Sequence, residues 1–174
     1  MKHTTLWFLL LFSTASLRGQ KAISVCDLLE HGGDQRGHMV TVKGNLHMGP
    51  EEFALYGVDC PFVLETKGYK WPTAVWLTPP GGVPEERVNF VVDKQAMEEF
   101  PRDVAKFYAA NPAALYVPVV VVGKFEFPRK FVGGIGTNGR WVGNGYGHLN
   151  FYPGQIVIRL MRLDGPDGAK GKTP

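Results

Sequence analysis

The sequence predicts a mainly β domain, built as a small closed barrel of five strands with a short N-terminal helix and a second helix between the third and fourth strands. Five segments alternate apolar and polar residues, as half-buried strands do. One segment between the third and the fourth repeats apolar residues every three or four positions, as a helix does. Two strands carry a glycine on their apolar side, where a missing side chain lets a strand coil sharply enough for a small barrel to close.

Residues 1–19 have the layout of a secretory signal peptide. Lys2 gives a positive start, Leu6–Phe12 is an unbroken run of seven apolar residues, and small residues follow. Seven residues are too few to span a bilayer, which takes about 20, so a membrane anchor is the less favoured alternative. Cleavage fits after either Ser16 or Gly19. We therefore expect an exported protein, periplasmic or extracellular, with no membrane span once the leader is removed.

Removal of the leader weakens the case for a nucleic-acid partner. The formal net charge of the 174-residue chain is +3, and the loss of Lys2 and Arg18 with the leader lowers it to +1. Proteins that bind nucleic acids by charge present a concentrated basic surface. Nucleic acid is therefore less favoured as a partner than an envelope protein or a glycan.

The domain is predicted over residues 20–163 and opens with a short helix. Ser24 can cap a helix that reaches His31, with Asp27 three residues on as its partner in a capping box. Gly32-Gly33 follows and is predicted to end this helix. Beyond the domain, the tail Asp164–Pro174 has no apolar residue other than one alanine and is predicted to be disordered.

The first three strands lie before residue 80. Alternation with Gly44 on the apolar side predicts the first strand within residues 37–48. A tight turn at Gly49-Pro50 leads to the second strand, Phe53–Val58, and the third strand is Ala74–Thr78.

A helix separates these strands from the last two. It is predicted over Asp93–Ala110, where Pro101 indicates a kink or a division into two short helices. The fourth strand, Tyr116–Phe127, again has a glycine on its apolar side. A long loop, Pro128–Gly154, then leads to the fifth strand, Gln155–Leu163.

The mature chain contains two cysteines, Cys26 and Cys60. In an exported chain an even number of cysteines predicts a disulfide. Two free buried thiols, or half of a metal site, are the alternatives.

The order of strands and helices, together with the G-x-x-V-x-V-x-G opening of the first strand, resembles an OB-fold. SVCDLL at residues 24–29, the later Cys60, and GYGHLNFYPGQIVI at residues 145–158 are similar to secreted bacterial OB-fold-like proteins of uncharacterised function. The resemblance covers residues 23–163. It implies a ligand face on the second and third strands, flanked by the first and last loops between strands.

The long loop invites two interpretations. Residues 134–139 match G-x-G-x-x-G, but the sequence RWVGNGYG that follows cannot form the helix that a dinucleotide site requires. The loop also carries rings with cations nearby, which could stack and attract a ligand. Alternatively, the rings cover an open barrel edge while the glycines provide the turns, and this is the favoured interpretation.

Few residues indicate catalysis. His148 has no companion at a metal-ligand spacing, which favours a structural hydrogen bond over a ligand or acid–base role. The adjacent acids, such as Glu51-Glu52, do not share a face and are predicted to be solvated. The chain has no G-x-S-x-G motif, and Ser24 is already used as a cap.

We therefore expect an exported OB-like binding module, with no cofactor and no metal, that binds a protein, a glycan or another envelope component. The predicted contacts are aromatic rings and one imidazole: Tyr69, Trp71, Trp76, Trp141, Tyr146 and His148. One alternative is a secreted metal-dependent nuclease, for which the suggestive acids and arginines are Asp59, Glu126, Arg129 and Arg140. Another is a purely structural partner in an envelope assembly.

Overall fold

The computed structural model of the protein describes residues 21–165. Within this range strand outweighs helix, at 37% against 25%, so the chain is mainly β as predicted. The predicted leader lies outside the described residues, and so do residues 166–174 of the predicted tail. No helix in residues 21–165 is long and apolar enough to cross a membrane.

The N-terminal helix begins where the sequence predicts. After the two-residue strand β1, Ile23–Ser24, helix α1 covers Val25–Glu30. Ser24 Oγ accepts a hydrogen bond from the backbone N–H of Asp27 at 3.0 Å, and Asp27 Oδ2 accepts one from the backbone N–H of Ser24 at 3.2 Å. The predicted capping box is therefore confirmed.

The prediction that two glycines end the first helical segment is wrong in part. A second short helix, α2, covers Gly32–Gln35 directly after His31. Gly32 is buried, and a Cβ there would lie 2.6 Å from Cζ of the Phe127 ring. Glycine at this position therefore allows the backbone to approach the ring closely, which is a packing reason rather than a helix stop.

All five predicted strands are present, two with the predicted bounds and three with bounds that shift by one or two residues. They are β2 Met39–Gly49, β3 Glu52–Tyr56, β6 Ala74–Thr78, β7 Val117–Glu126 and β10 Gln155–Leu163. Four short strands lie in the segments that connect them, namely β4 Glu65–Thr66, β5 Tyr69–Lys70, β8 Gly133–Ile135 and β9 Trp141–Gly143. The long loop is thus partly ordered as a hairpin.

The long strands and β1 form one six-stranded mixed sheet in the order β1-β2-β3-β6-β10-β7. The pairings β6–β10 and β1–β2 are parallel and the others are antiparallel. Strand β2 also pairs with β7, so each of the five long strands has a neighbour on both sides. The pairings therefore return to the strand from which they start.

The two glycines that the alternation places on the apolar side are required by close packing. A Cβ on Gly44 would lie 2.8 Å from both Leu55 Cγ and the carbonyl oxygen of Tyr56. A Cβ on Gly123 would lie 2.5 Å from Ile156 Cγ2. Neither site can hold a larger side chain without displacing the neighbouring strand, because interiors are close-packed.

Helix α3, Lys94–Ala110, lies between β6 and β7 as predicted. It is a single helix rather than two, with Pro101 inside it. Asp93 caps it, since Asp93 Oδ1 accepts a hydrogen bond from the backbone N–H of Ala96 at 3.0 Å. Phe100 and Val104 are its buried residues and belong to the main core.

The predicted disulfide is confirmed. Cys26 in α1 is bonded to Cys60 in the segment after β3, with the two Cα atoms 5.3 Å apart. Gly57 lies beside the bond, where a Cβ would come within 2.9 Å of Cys26 Sγ. The disulfide therefore ties the N-terminal helix to the end of the second long strand.

Candidate functional site

A cluster of aromatic rings lies between the long loop and the segment before β6. Trp71 is its centre and is only 2% exposed. The Tyr69 and Trp141 rings lie on it, each with its centroid 5.5 Å from that of Trp71, and Phe151 is stacked on Trp141 at 5.1 Å. Trp71 Nε1 donates a hydrogen bond to Thr66 Oγ1 at 3.0 Å. The buried indole therefore has its polar atom satisfied.

The glycines of the long loop lie against these rings. A Cβ on Gly133 would lie 2.6 Å from Trp71 Cζ2, and one on Gly145 would lie 2.8 Å from Trp71 Cζ3. Gly147 has a φ of 71° and rests on the indole of Trp76. These contacts support the interpretation that the glycines bring the backbone of the loop down onto rings.

A carboxylate lies at the turn between β2 and β3. Glu52 Oε1 accepts hydrogen bonds from the hydroxyls of Tyr56 and Tyr152, the latter at 2.5 Å. His47 Nδ1 lies 2.9 Å from Glu52 Oε2, where it forms an ion pair when the imidazole is protonated. Glu52 thus joins β2, β3 and the end of the long loop through one side chain.

These contacts lower the pKa of the Glu52 carboxyl and raise the pKa values of the Tyr56 and Tyr152 hydroxyls. Burial raises the pKa of Glu52, but the hydrogen bonds from Tyr152 and Tyr56 and the charge of His47 outweigh it, so the pKa lies below its usual value. Burial and the bond to Glu52 raise the pKa of Tyr56 to about 12. The same two causes raise the pKa of Tyr152. The site therefore holds an ionised carboxylate between two neutral phenols.

Two adjoining cavities open beside this carboxylate, and together we call them the turn groove. One has a volume of about 470 Å³ and the other about 350 Å³. Glu51, Glu52 and His148 line both of them. The larger cavity is completed by Tyr69, Lys70, Pro72, Phe151 and Tyr152, and the smaller by Gly49, Pro50, Phe53 and Trp76.

The structure brings some of the six predicted contacts to the turn groove and leaves others beneath it. Tyr69, Trp76 and His148 line the groove. Trp141 supports Tyr69 from behind, with ring centroids 4.1 Å apart, and Trp71 is buried below both.

Tyr146 pairs through its backbone with Tyr152, and burial raises the pKa of its phenol. Like Trp71 and Trp141, it does not line the turn groove.

The carboxylates of the groove were not among the contacts predicted from the sequence. Glu51 is indeed exposed, and its Oε2 lies 3.6 Å from His148 Nε2. Glu52 is partly buried and is not a simple solvated acid, because two tyrosines donate hydrogen bonds to it. The sequence did contain a signal for this contact, because alternation along β3 places Glu52, Ala54 and Tyr56 on the same face of the strand.

The two acids named for a nuclease lie in different settings. Glu126 is paired with Arg87 and accepts a hydrogen bond from Gln155 at 2.5 Å. Asp59 lies next to the disulfide with a φ of 51°. In residues 21–165 no three His, Cys, Asp or Glu side chains are grouped as a metal site would require.

The G-x-G-x-x-G match forms part of a hairpin. Gly139 has a φ of 73°, and the backbone N–H of Gly136 donates to the carbonyl of Arg140 at 2.8 Å, so the motif makes the turn between β8 and β9. Strand β9, and not a helix, directly follows the motif, as the sequence predicts.

A larger cavity, about 870 Å³, lies between α3 and β10, but none of the six predicted contacts lines it.

Comparison with protein-family models, curated proteins and solved structures finds no match to this chain.

Proposed function

We propose that this chain is an exported OB-like module that binds a glycan of the cell envelope in the turn groove. The circuit of pairings through β2, β3, β6, β10 and β7 supports a closed five-stranded barrel of this type. The turn groove lies on its second and third long strands, between the first turn and the last long loop. That is the face through which OB-folds generally bind ligands.

The observation that carries the proposal is the presence of rings and carboxylates around one groove. Tyr69 and Trp76 offer apolar ring surface, against which the C–H face of a sugar can pack. Glu51 and Glu52 offer acceptors for sugar hydroxyls, which are good donors. A polar ligand with many hydroxyls and flat apolar faces matches this combination.

The charge of the groove disfavours a phosphate-rich ligand. Two carboxylates, Glu51 and Glu52, line both cavities, whereas among residues 21–165 Lys70 is the one lysine or arginine that lines either of them. Phosphates of a nucleic acid would be repelled by these acids, because like charges across an interface are costly. The disulfide and the layout of residues 1–19 support export of the chain. An exported chain would be in the compartment that contains the envelope glycans.

Titration calorimetry tests the proposal. The chain without residues 1–19 is titrated with a peptidoglycan fragment, a lipopolysaccharide core oligosaccharide and a single-stranded oligonucleotide. Because the core oligosaccharide carries phosphates, we expect heat with the peptidoglycan fragment and none with the oligonucleotide. Glu51→Ala and His148→Ala each remove an exposed group from the groove and are expected to weaken saccharide binding by about tenfold.

Glu98→Ala on helix α3 is the matched control, since it removes an exposed carboxylate outside the groove. It is expected to bind as the unchanged chain does. If Glu51→Ala and His148→Ala bind as tightly as the control, or if only the oligonucleotide binds, the proposal is wrong.

A further inference from the structure

The hairpin of β8 and β9 has one packed face and one open face. Residues paired across it share a face, and Gly133 and Trp141 lie on the side that meets Trp71. By alternation, Val142 and its partner Gly134 point the other way. Val142 is 54% exposed, so no element in the described part of the chain covers this face.

Apolar side chains are concentrated on this open hairpin. Val132 just before β8 is 49% exposed, and Val142 lies on the open face. Ile135 at the tip is paired with Trp141 and lies on the other face, yet it is 68% exposed. The hairpin therefore presents an apolar patch of three exposed branched aliphatic side chains, divided between its two faces. Exposed apolar patches of this kind on a stable domain mark interaction surfaces.

Positive charge accompanies the patch. Arg129 and Lys130 precede the hairpin and Arg140 lies in its turn, and all three are exposed. None of them forms an ion pair in residues 21–165. The whole loop, residues 128–154, contains no Asp or Glu, although the chain is close to neutral without its leader. The hairpin is therefore a local cationic surface.

We propose that this hairpin docks the domain on an anionic phospholipid bilayer. The aliphatic tip enters the headgroup region, while the arginines and the lysine contact lipid phosphates and keep their charged ends in the aqueous layer. Aliphatic side chains favour lipid over single-stranded nucleic acid, which requires outward rings for stacking. The one indole of the hairpin, Trp141, faces inward instead. The proposal does not depend on the glycan site, which involves other residues.

Vesicle co-sedimentation tests the docking surface. The chain lacking residues 1–19 is used, so that the apolar leader cannot contribute. Vesicles contain either phosphatidylcholine alone or equal parts of phosphatidylglycerol and phosphatidylcholine. We expect binding to the anionic vesicles only. Arg140→Gln is expected to weaken vesicle binding roughly fivefold, because one cationic side chain near an anionic lipid surface usually contributes that much to the affinity.

Ile135→Ser removes the aliphatic tip at an exposed position and is expected to weaken binding at high salt, where charge is screened. Arg102→Gln on α3 and Val91→Ser, which is 83% exposed in the chain, are the matched controls and should bind normally. Circular dichroism verifies that each variant is folded. Absence of binding to anionic vesicles, equal loss in the controls, or displacement of vesicles by an oligonucleotide would overturn the proposal.

Discussion

Gly147 lies directly against the indole of Trp76, so that a Cβ at this position would overlap the ring and lie 2.8 Å from its Cγ. Its backbone has φ 71° and ψ −161°, a region that is nearly restricted to glycine. The contact fixes the long loop over β6 and positions the neighbouring His148 at the turn groove. Packing and backbone conformation thus demand the same residue.

Gly147→Ala should therefore destabilise the domain for two reasons. Backbone strain costs about 1–3 kcal/mol, and displacement of the ring adds about 1–3 kcal/mol. Gly139→Ala is the matched control, because Gly139 has a similar φ of 73° but open space around it. Urea unfolding of both variants should show the larger loss for Gly147→Ala. Equal losses would mean that the ring contact contributes nothing.

The disulfide should account for a large part of the stability. Cys26 and Cys60 are separated by 34 positions in sequence. Closing a loop of this size stabilises by about 3–4 kcal/mol in the chain-entropy model. The double variant Cys26→Ala, Cys60→Ala should lose that amount in urea unfolding without a reductant. Addition of a reductant should lower the free energy of unfolding of the unmodified chain to that of the variant. The free energy of unfolding of the variant itself should not change. A variant as stable as the oxidised chain would contradict this.

Alkaline pH should weaken the fold through Tyr56. Its pKa is 10.0 in the usual case and about 12 in the folded protein, so the folded chain keeps a proton that the unfolded chain releases between these values. The free energy of unfolding therefore falls as pH rises through this window. Tyr56→Phe lacks the phenol that titrates, so its free energy of unfolding should fall less steeply with pH. We would measure urea unfolding of both chains on either side of pH 10. Identical pH profiles would show that Tyr56 is not involved.

Local patterns predicted the five long strands, because each is long enough to show the alternation of buried and exposed residues. The strands Ala74–Thr78 and Gln155–Leu163 have the predicted bounds, since their buried sides are nearly continuous. The capping box at Ser24 could also be predicted, because it involves two residues that are only three positions apart in the sequence. The hairpin within residues 128–154 was missed, since its strands are three residues long and alternate with glycine.

The candidate site was harder to predict because its parts come from distant segments. Tyr152 lies 100 positions from Glu52, and no local pattern indicates that its hydroxyl bonds to that carboxylate. The rings were visible in sequence, but which of them would be buried was not. Trp71 and Trp76 differ by five positions and have opposite environments, since one is the buried centre of a cluster and the other lines the turn groove.

The most direct test of the account is a nuclear magnetic resonance titration that maps where a saccharide binds. The peptidoglycan fragment is added to isotope-labelled chain without residues 1–19. The account predicts shifts concentrated at Glu51, His148 and the indole N–H of Trp76, with little change along α3. Shifts concentrated on α3 and β10 beside the larger cavity, or no shifts at all, would contradict it.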